Sequence, residues 1–356
     1  MRRAVTCLAV VLIAGLCLAA EPAKVQRAWA SEGETYANTD SLAAVMLRSG
    51  EVRIYATSKD GHRLDIIDGA TGKYLGAWGK PGTAAGELKY PNGVATVVFG
   101  PHDHPKSRRA ALAVVERDNR RVQIVCPETG KSLGIFGTEH LHRPYGVAFA
   151  TVDEKPLLYV TDTQVELDRT VHVFELALRG EEVTARHVRH FGEKTGPGAI
   201  QEAESVLVDV PQRRVLLCDE TTRNVKVYDL DGKFSGRTFG DGLVVGDPEG
   251  LVIVEARGIR CVILTDQRKE LSVWHVFDAG DYKHLGSWTG EPTIANTDGI
   301  AVFPHAFAAF PNGAFFAVDN DFEVHAYRIE DVLSAVKLEP ATKEPDRRPA
   351  PSQRGE

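Results

Sequence analysis

Asp247-Pro-Glu-Gly-Leu251 and Asn296-Thr-Asp-Gly-Ile300 each set a carboxylate just ahead of a short apolar run, Leu251 to Val254 and Ile300 to Phe303. The same cue recurs at Thr39-Asp-Ser-Leu42, Pro91-Asn-Gly-Val94, Pro144-Tyr-Gly-Val147 and Ala203-Glu-Ser-Val206. Six copies make a repeat architecture, and the repeat is to be settled before any local reading. Between successive copies lie a second strand ending in a polar residue, a turn, a third strand, a Gly-containing turn and an aromatic-Gly close. The third strands are the clearest, for example Arg121-Val-Gln-Ile-Val125 and Val225-Lys-Val-Tyr228. Their alternation of apolar and polar side chains is that of a strand with one buried face. Asp231-Gly232 and Thr129-Gly130 supply turn signals where hairpins need them.

Outward from these copies, the closing aromatics Trp78, Phe136, Phe191, Phe239 and Trp288 are spaced 58, 55, 48 and 49 residues apart. That interval holds four short strands. The spacing predicts an all-β fold, a six-bladed β-propeller of four-stranded antiparallel blades over residues 21–338. A segment from Val25 to Ala30 is expected to pair with the last blade and close the ring. A short helix is expected at Ile329 to Val336. Residues 339–356, rich in Pro and charge, read as a disordered tail.

Residues 1–20 read as a secretory signal: Arg2 and Arg3 precede an apolar run from Leu8 to Ala20 that ends in small residues. The run is shorter than the roughly 20 apolar residues of a membrane span. A secreted or periplasmic protein is expected, with no membrane span. Cleavage after Ala20 removes two arginines and no acid, which moves the net charge from −7 to −9. Such an acidic chain is unsuited to wrapping nucleic acid. Cys126, Cys218 and Cys261 remain after processing, an odd number on strand-like runs, and read as buried thiols rather than a disulfide framework.

Two sets of polar residues follow from the repeat. Asp40, Asn92, Tyr145, Glu204, Glu249 and Asp298 head the inner strands; Ser58, Glu116, Asp162, Asp219, Asp266 and Asp319 end the second strands. Antiparallel pairing puts the head of one strand beside the end of the next, so both sets fall at one end of the channel. Nine of these twelve positions are carboxylates, and such crowding calls for a neutralising charge. Ca²⁺, which takes six to eight oxygen ligands, answers that need; no HExxH or CxxC motif suggests zinc. Aspartates at strand ends also serve simply to hold backbone amides in the neighbouring turn. That alternative applies with most force to Asp162, Asp219 and Asp266, and with least to Glu204, Glu249 and Asp298. Lys59, Arg117, Arg120, Arg143, Arg223, Arg268 and Lys269 bring basic groups to the same mouth, of which Lys59 and Arg223 follow second-strand ends closely. His172, His275 and His325 sit on third strands and read as outer-blade positions.

Gln201-Glu-Ala-Glu204 through Asp219-Glu220, Asp247-Pro-Glu-Gly-Leu251, and Asn296-Thr-Asp-Gly-Ile300 through Asp319 resemble blades four to six of the β-propeller phytases. The resemblance is best over residues 200–330. It implies calcium-dependent hydrolysis of a phosphate monoester such as phytate (inositol hexakisphosphate) by a monomer. Asp40, Glu204, Asp219, Asp247, Glu249 and Asp298 are then the metal ligands, to which the set of strand-end acids adds Asp319, and Glu204, Glu249 and Asp298 stand at the expected catalytic centre. Tyr145 then lines the site and Lys59 contacts phosphate, while Arg117 and Arg223, as basic groups at the same mouth, are read from the sequence as further substrate contacts. The chain departs from that family where Lys59 is followed by Asp60 rather than a second lysine, and where no lysine stands at Thr163 or Gln164. It also lacks the Pro and Trp that follow the first aspartate. Glu116 to Ile124 and Pro144 to Val147 resemble NHL-type repeats instead, which implies an alternative role as a non-catalytic propeller binding a protein, peptide or glycan.

Overall fold

The computed structural model describes residues 21–32, 38–100, 109–163 and 169–338. The expected signal segment, residues 1–20, and the expected disordered tail, residues 339–356, lie outside them. Two short strands, β1 (Ala23–Gln26) and β2 (Trp29–Ala30), precede six blades. Blade one holds β3 (Thr39–Met46), β4 (Val52–Ser58), β5 (Arg63–Asp68) and β6 (Tyr74–Trp78); blade two holds β7 (Pro91–Phe99), β8 (Arg109–Glu116), β9 (Arg121–Val125) and β10 (Ser132–Phe136). Blade three holds β11 (Pro144–Val152), β12 (Lys155–Asp162), β13 (Val171–Arg179) and β14 (Glu182–Phe191); blade four holds β15 (Ala203–Asp209), β16 (Arg214–Asp219), β17 (Asn224–Asp229) and β18 (Phe234–Phe239). Blade five holds β19 (Asp247–Ala256), β20 (Ile259–Gln267), β21 (Val273–Asp278) and β22 (His284–Glu291). Blade six has β23 (Ile300–Phe303), β24 (Ala314–Asp319) and β25 (Glu323–Arg328), after which the chain enters helix α1 (Ile329–Ala335). The consecutive strands of each blade form an antiparallel meander, and the inner strands β3, β7, β11, β15, β19 and β23 neighbour one another in a closed circuit. The fold is therefore the six-bladed β-propeller that the repeat implies.

The N-terminal segment closes the ring in two places rather than one. β2 supplies the missing outer strand of blade six, antiparallel to β25, with Trp29 opposite Ala326. β1 lies parallel to β22 and makes a fifth strand of blade five. The break falls at Arg27 and Ala28, whose amides bond Glu291 of blade five and Ala326 of blade six respectively. Val25 and Trp29 thereby pack into the cores of different blades.

Packing is between blades. Each of six hydrophobic clusters joins one blade to the next. Between blades two and three, for example, Val160 and Phe174 pack with Ala113 and Val115. Middle strands are thus covered on both faces, and this overturns the expected exposure of the third strands. Gln123, His172, Lys226, His275 and His325 are all buried. All five meet the strand-ending acid of their blade: Lys226 Nζ lies 2.6 Å from Asp219, His275 Nε2 3.2 Å from Asp266, Gln123 Nε2 3.4 Å from Glu116, His325 Nε2 3.6 Å from Asp319 and His172 Nε2 3.9 Å from Asp162. Burial alone would raise Asp266, but bonds from His275, Arg268 and the Gly246 and Val245 amides hold its pKa down to about 2.

The aromatic-Gly close has a backbone reason. Gly79, Gly137, Gly192 and Gly240 take φ of 95°, 101°, 90° and 86°, a left-handed turn that sends the chain back toward the channel. In blade five the aromatic is Trp288, fully buried and stacked on Trp274 at 4.3 Å between centroids. Trp288→Ala is expected to cost about 3–5 kcal/mol, in the range of large-to-small core substitutions. Urea unfolding of the two proteins checks this, and a loss below about 1 kcal/mol would show that blade five does not depend on this packing.

Candidate functional site

The inner strands begin with a bulge. Pairing jumps from Thr39–Ser58 to Leu42–Ala56 in blade one, and equivalent jumps occur in blades two to five. Asp40-Ser41, Asn92-Gly93, Tyr145-Gly146, Glu204-Ser205 and Glu249-Gly250 therefore each face one residue of the second strand. Such a bulge turns the strand and re-aims its side chains, here into the channel. A hydroxyl locks it in two blades. Thr57 Oγ1 accepts the Ser41 amide at 2.8 Å and donates to the Asn92 carbonyl of the next blade at 2.9 Å. Thr161 Oγ1 does the same between the Gly146 amide and the Glu204 carbonyl, at 2.7 and 3.0 Å. Gly146 must be glycine for this approach, because a Cβ there would collide with the Glu204 carbonyl oxygen.

The channel below the mouth is a cavity of about 260 Å³, and Asp40, Tyr145, Glu204, Glu249 and Asp298 stand among its lining residues. Two groups of side chains meet there. In the first, carboxylate oxygens of Glu204, Glu220 and Glu249 lie within 4.8 Å of one another, Glu204 buried and the others half-buried. Burial, then the charge of Glu249, raises Glu204 well above the usual carboxylate range. Burial, then Asp298, does the same to Glu249. In the second group, Lys59 Nζ sits 2.7 Å from Asp40 and 3.6 Å from Asp298. Burial opposes the charge on Lys59, but these two carboxylates outweigh it and the pKa rises. Asn92 Nδ2 donates to Asp40 at 3.3 Å, and Gln267 Nε2 donates to Asp298. Burial and Asp40 push Asp298 up to about 8. Tyr145 is raised by burial and by Glu204, Asp40 and Glu249, so its hydroxyl keeps its proton. Asn92 is fully buried, and its Oδ1 has no hydrogen-bond partner among the described residues.

Of the residues singled out from sequence, Asp40, Lys59, Tyr145, Glu204, Glu249 and Asp298 come together at this mouth. Asp247 stands at its edge, where its charge acts on Glu220. Asp219 does not join them: it is buried in blade four, accepting the Gln201 and Glu202 amides at 3.1 and 3.2 Å as well as Lys226. Asp319 likewise accepts the Ala295 amide at 2.9 Å inside blade six. Arg117 stacks over Tyr90 at 3.5 Å, and Arg223 is exposed, its amide closing the turn onto the Glu220 carbonyl at 3.2 Å.

The residues missed from sequence are Glu220, Gln267 and Asp321, the last bonded by Asn296 Nδ2 at 3.1 Å and by Asp298. Side chains alternate sides along a strand. The residue that ends the second strand points back into the blade, so the one after it points to the channel. Lys59, Glu220 and Gln267 all occupy that following position, directly after Ser58, Asp219 and Asp266. The signal was present as a one-residue offset.

No protein-family model matches the chain, and no curated protein matches it in sequence. Solved structures match in fold. Hydrazine synthase of Kuenenia stuttgartiensis aligns over 86% of this chain and 81% of its own at 13% identity, with a TM-score of 0.48. BBS1N, solved in complex with ARL6DN and soaked with mercury, aligns over 86% and 97% at 11% identity, with a TM-score of 0.52. Likeness at such identities concerns the fold alone. No helix among the described residues is long and apolar enough to cross a membrane.

The raised carboxylates make a prediction for the protein in EDTA. Between the ordinary carboxylate pKa near 4 and the value of about 8 at Asp298, the folded state holds protons that the unfolded state has released. Stability then falls as pH rises through that window. Glu204→Gln removes one of the repelling charges, and thermal unfolding in EDTA at pH 8 is expected to show it more stable than wild type by roughly 1–2 kcal/mol. A flat pH profile from 5 to 8 together with a destabilised Glu204→Gln would contradict the electrostatic account.

Proposed function

We propose that the channel mouth binds Ca²⁺ and serves hydrolysis of a phosphate monoester, phytate or a similar compound, by an exported monomer. The observation that supports this most is the convergence of Glu204, Glu220 and Glu249 with no Lys, Arg or His ion-paired to any of them among the described residues. The donors fit a hard cation, since all three side chains are carboxylates that bring oxygens within 4.8 Å of one another. Glu204, Glu220 and Glu249 would hold the ion, with Asp40, Asp247 and Asp298 flanking it. When bound, calcium supplies charge neutralisation at a phosphoryl oxygen and a more acidic water.

The remaining chemistry belongs to the chain. Phosphoryl transfer asks the protein for positioning and charge more than for a nucleophile. Lys59, kept charged between Asp40 and Asp298, is a point charge for a phosphate oxygen. Tyr145 keeps its proton and so can donate a hydrogen bond across the channel. Asp219 and Asp319, engaged by backbone amides, support the blades and do not take part. Export, implied by the first twenty residues, would place the chain where calcium sites of about 10⁻⁴ to 10⁻³ M suffice.

A second reading, a calcium-dependent binding propeller without catalysis, is favoured by Val245 and Phe322. Both are 60% exposed and both lie in loops on the mouth side of the blades. One experiment separates the two: a calcium titration of the purified protein following thermal stability and phosphate release from phytate together. Calcium is expected to raise the melting temperature, EDTA to reverse the gain, and phosphate to appear only with calcium. Glu220→Gln is expected to weaken the calcium response about tenfold or more while the blades stay folded, since a ligand charge is lost. Absence of any wild-type stabilisation would sink the metal site. Stabilisation with no phosphate released from phytate or a simple aryl phosphate would sink the hydrolase and leave the binding module.

A further inference from the structure

The mouth face carries a second concavity, in the sector of blades two and three. It is a cavity of about 430 Å³ lined by Lys89, Arg117, Asp118, Arg120, His142 and Arg143. Three loops contribute: the connection from blade one to blade two (Lys89), the turn between β8 and β9 (Arg117 to Arg120), and the connection from blade two to blade three (His142, Arg143). Four of these six residues are Lys or Arg in a chain whose net charge is −7. The one acid, Asp118, is paired with Arg117 Nε at 3.0 Å. The side chains of Lys89, Arg120 and Arg143 make no ion pair or hydrogen bond among the described residues, although all three face one cavity.

The loops that carry them are fixed from beneath by the strand-ending acids. Glu116, fully buried, accepts the Lys89 amide at 3.1 Å and Asn119 Nδ2 at 2.5 Å. Asn119 Nδ2 also reaches the Gly82 carbonyl at 2.9 Å, which ties the turn to the blade-one connection. Asp162, also buried, accepts the His142 and Arg143 amides at 2.7 and 2.8 Å. Arg117 lies over the Tyr90 ring at 3.5 Å, which restrains its guanidinium. Arg120 takes φ of 51°, and the amide of Arg120 closes the turn onto the Arg117 carbonyl at 3.2 Å. Backbone positions are therefore set before any ligand arrives, and the cost of ordering the site on binding is reduced.

We propose that this pocket is an anion site for a tetrahedral dianion, the phosphoryl or sulfuryl group of a ligand. Like charges held together with no counter-charge among the described residues beyond Asp118 repel, and an anion between them relieves that repulsion. Guanidiniums favour an oxyanion that presents several acceptors at fixed angles, which phosphate and sulfate do. The pocket draws on none of Glu204, Glu220, Glu249 or Asp298, so it stands whether or not the channel binds calcium.

The test is isothermal titration of the full chain in EDTA with inorganic phosphate, sulfate and acetate at constant ionic strength. Wild type is expected to bind phosphate or sulfate in preference to acetate. Arg143→Gln and Arg120→Asn, the latter chosen because Asn tolerates positive φ, are each expected to weaken that binding about tenfold, as loss of a charge-assisted bond does. Glu220→Gln is expected to leave it unchanged. Equal binding of phosphate and sulfate supports a tetrahedral dianion of either origin, and a preference for phosphate narrows it to a phosphoryl group. Binding no stronger than that of acetate, or Arg143→Gln and Arg120→Asn variants that bind like wild type, would overturn the proposal. Both substituted side chains are exposed, so thermal unfolding close to wild type accompanies either result.

Discussion

A strand that carries one residue too many must bend, and in this protein five of the six inner strands do so at the same place. Without the extra residue, period-two alternation would continue unbroken from the apolar inner strand, and the lead side chain would be turned away from the channel. The bulge also exposes an amide and a carbonyl that the ladder no longer pairs. Thr57 and Thr161 satisfy both at once and tie the head of one blade to the head of the next. Side-chain direction at the mouth and contact between blades thus come from one local irregularity. Positions such as Glu204 and Glu249 can hold costly groups because six inter-blade cores hold the backbone that presents them.

The cost is electrostatic. Two carboxylates separated by 4.8 Å, the limit within which Glu204, Glu220 and Glu249 meet, repel by about 3–4 kcal/mol at an effective dielectric constant near 20. Three of them, beside Asp298, amount to a large fraction of a domain's stability of roughly 5–15 kcal/mol. Proton uptake is one escape and a cation is the other. The second half of the mouth shows how the chain handles the same problem when it supplies its own cation: Lys59 sits between Asp40 and Asp298, and Gln267 and Asn92 donate to carboxylate oxygens of the same pair. No such cation reaches the glutamates among the described residues. That contrast within one channel separates a self-neutralised group from one to which no described residue brings a cation.

Much of this architecture was legible in the sequence, for a reason that also explains what was not. The blade repeat is written as a spacing of apolar runs, and spacing survives without knowledge of neighbours; hence the six inner strands and their lead residues Asp40, Tyr145, Glu204, Glu249 and Asp298 could be read directly. The direction of the residue at the far end of the second strand depends on where the strand stops relative to the turn. An offset of one exchanges faces, so Asp219 turned inward to Lys226 while Glu220 took the channel position. The third strands misled for a related reason. Alternating polarity signals a wet face only when nothing covers it, and in a propeller each blade is covered by the next, so His172, Lys226 and His275 are buried and bonded. The N-terminal strand split because Arg27 and Ala28 bridge two blades, a tertiary contact with no local trace.

The strand-ending acids hold backbone amides, as the plainer reading of Asp162, Asp219 and Asp266 from sequence expected, but in the connection that precedes the blade. They are not ligands at the channel, yet they are more than caps for a turn. Glu116 and Asp162 fix the loops that gather Lys89, Arg120, His142 and Arg143, and Asp219 fixes the amides of Gln201 and Glu202 just ahead of Glu204. In each case a buried carboxylate in one blade holds the backbone of the connection leading into the same blade's inner strand. A propeller fold needs that connection to be short of motion, because its six inner strands must start at a common level. Once it is held, whatever side chains the connection and the turn display are displayed rigidly. The acid that stabilises the repeat is therefore also the one that pre-orients the chemistry of the mouth, basic in blades two and three and acidic in blades four to six.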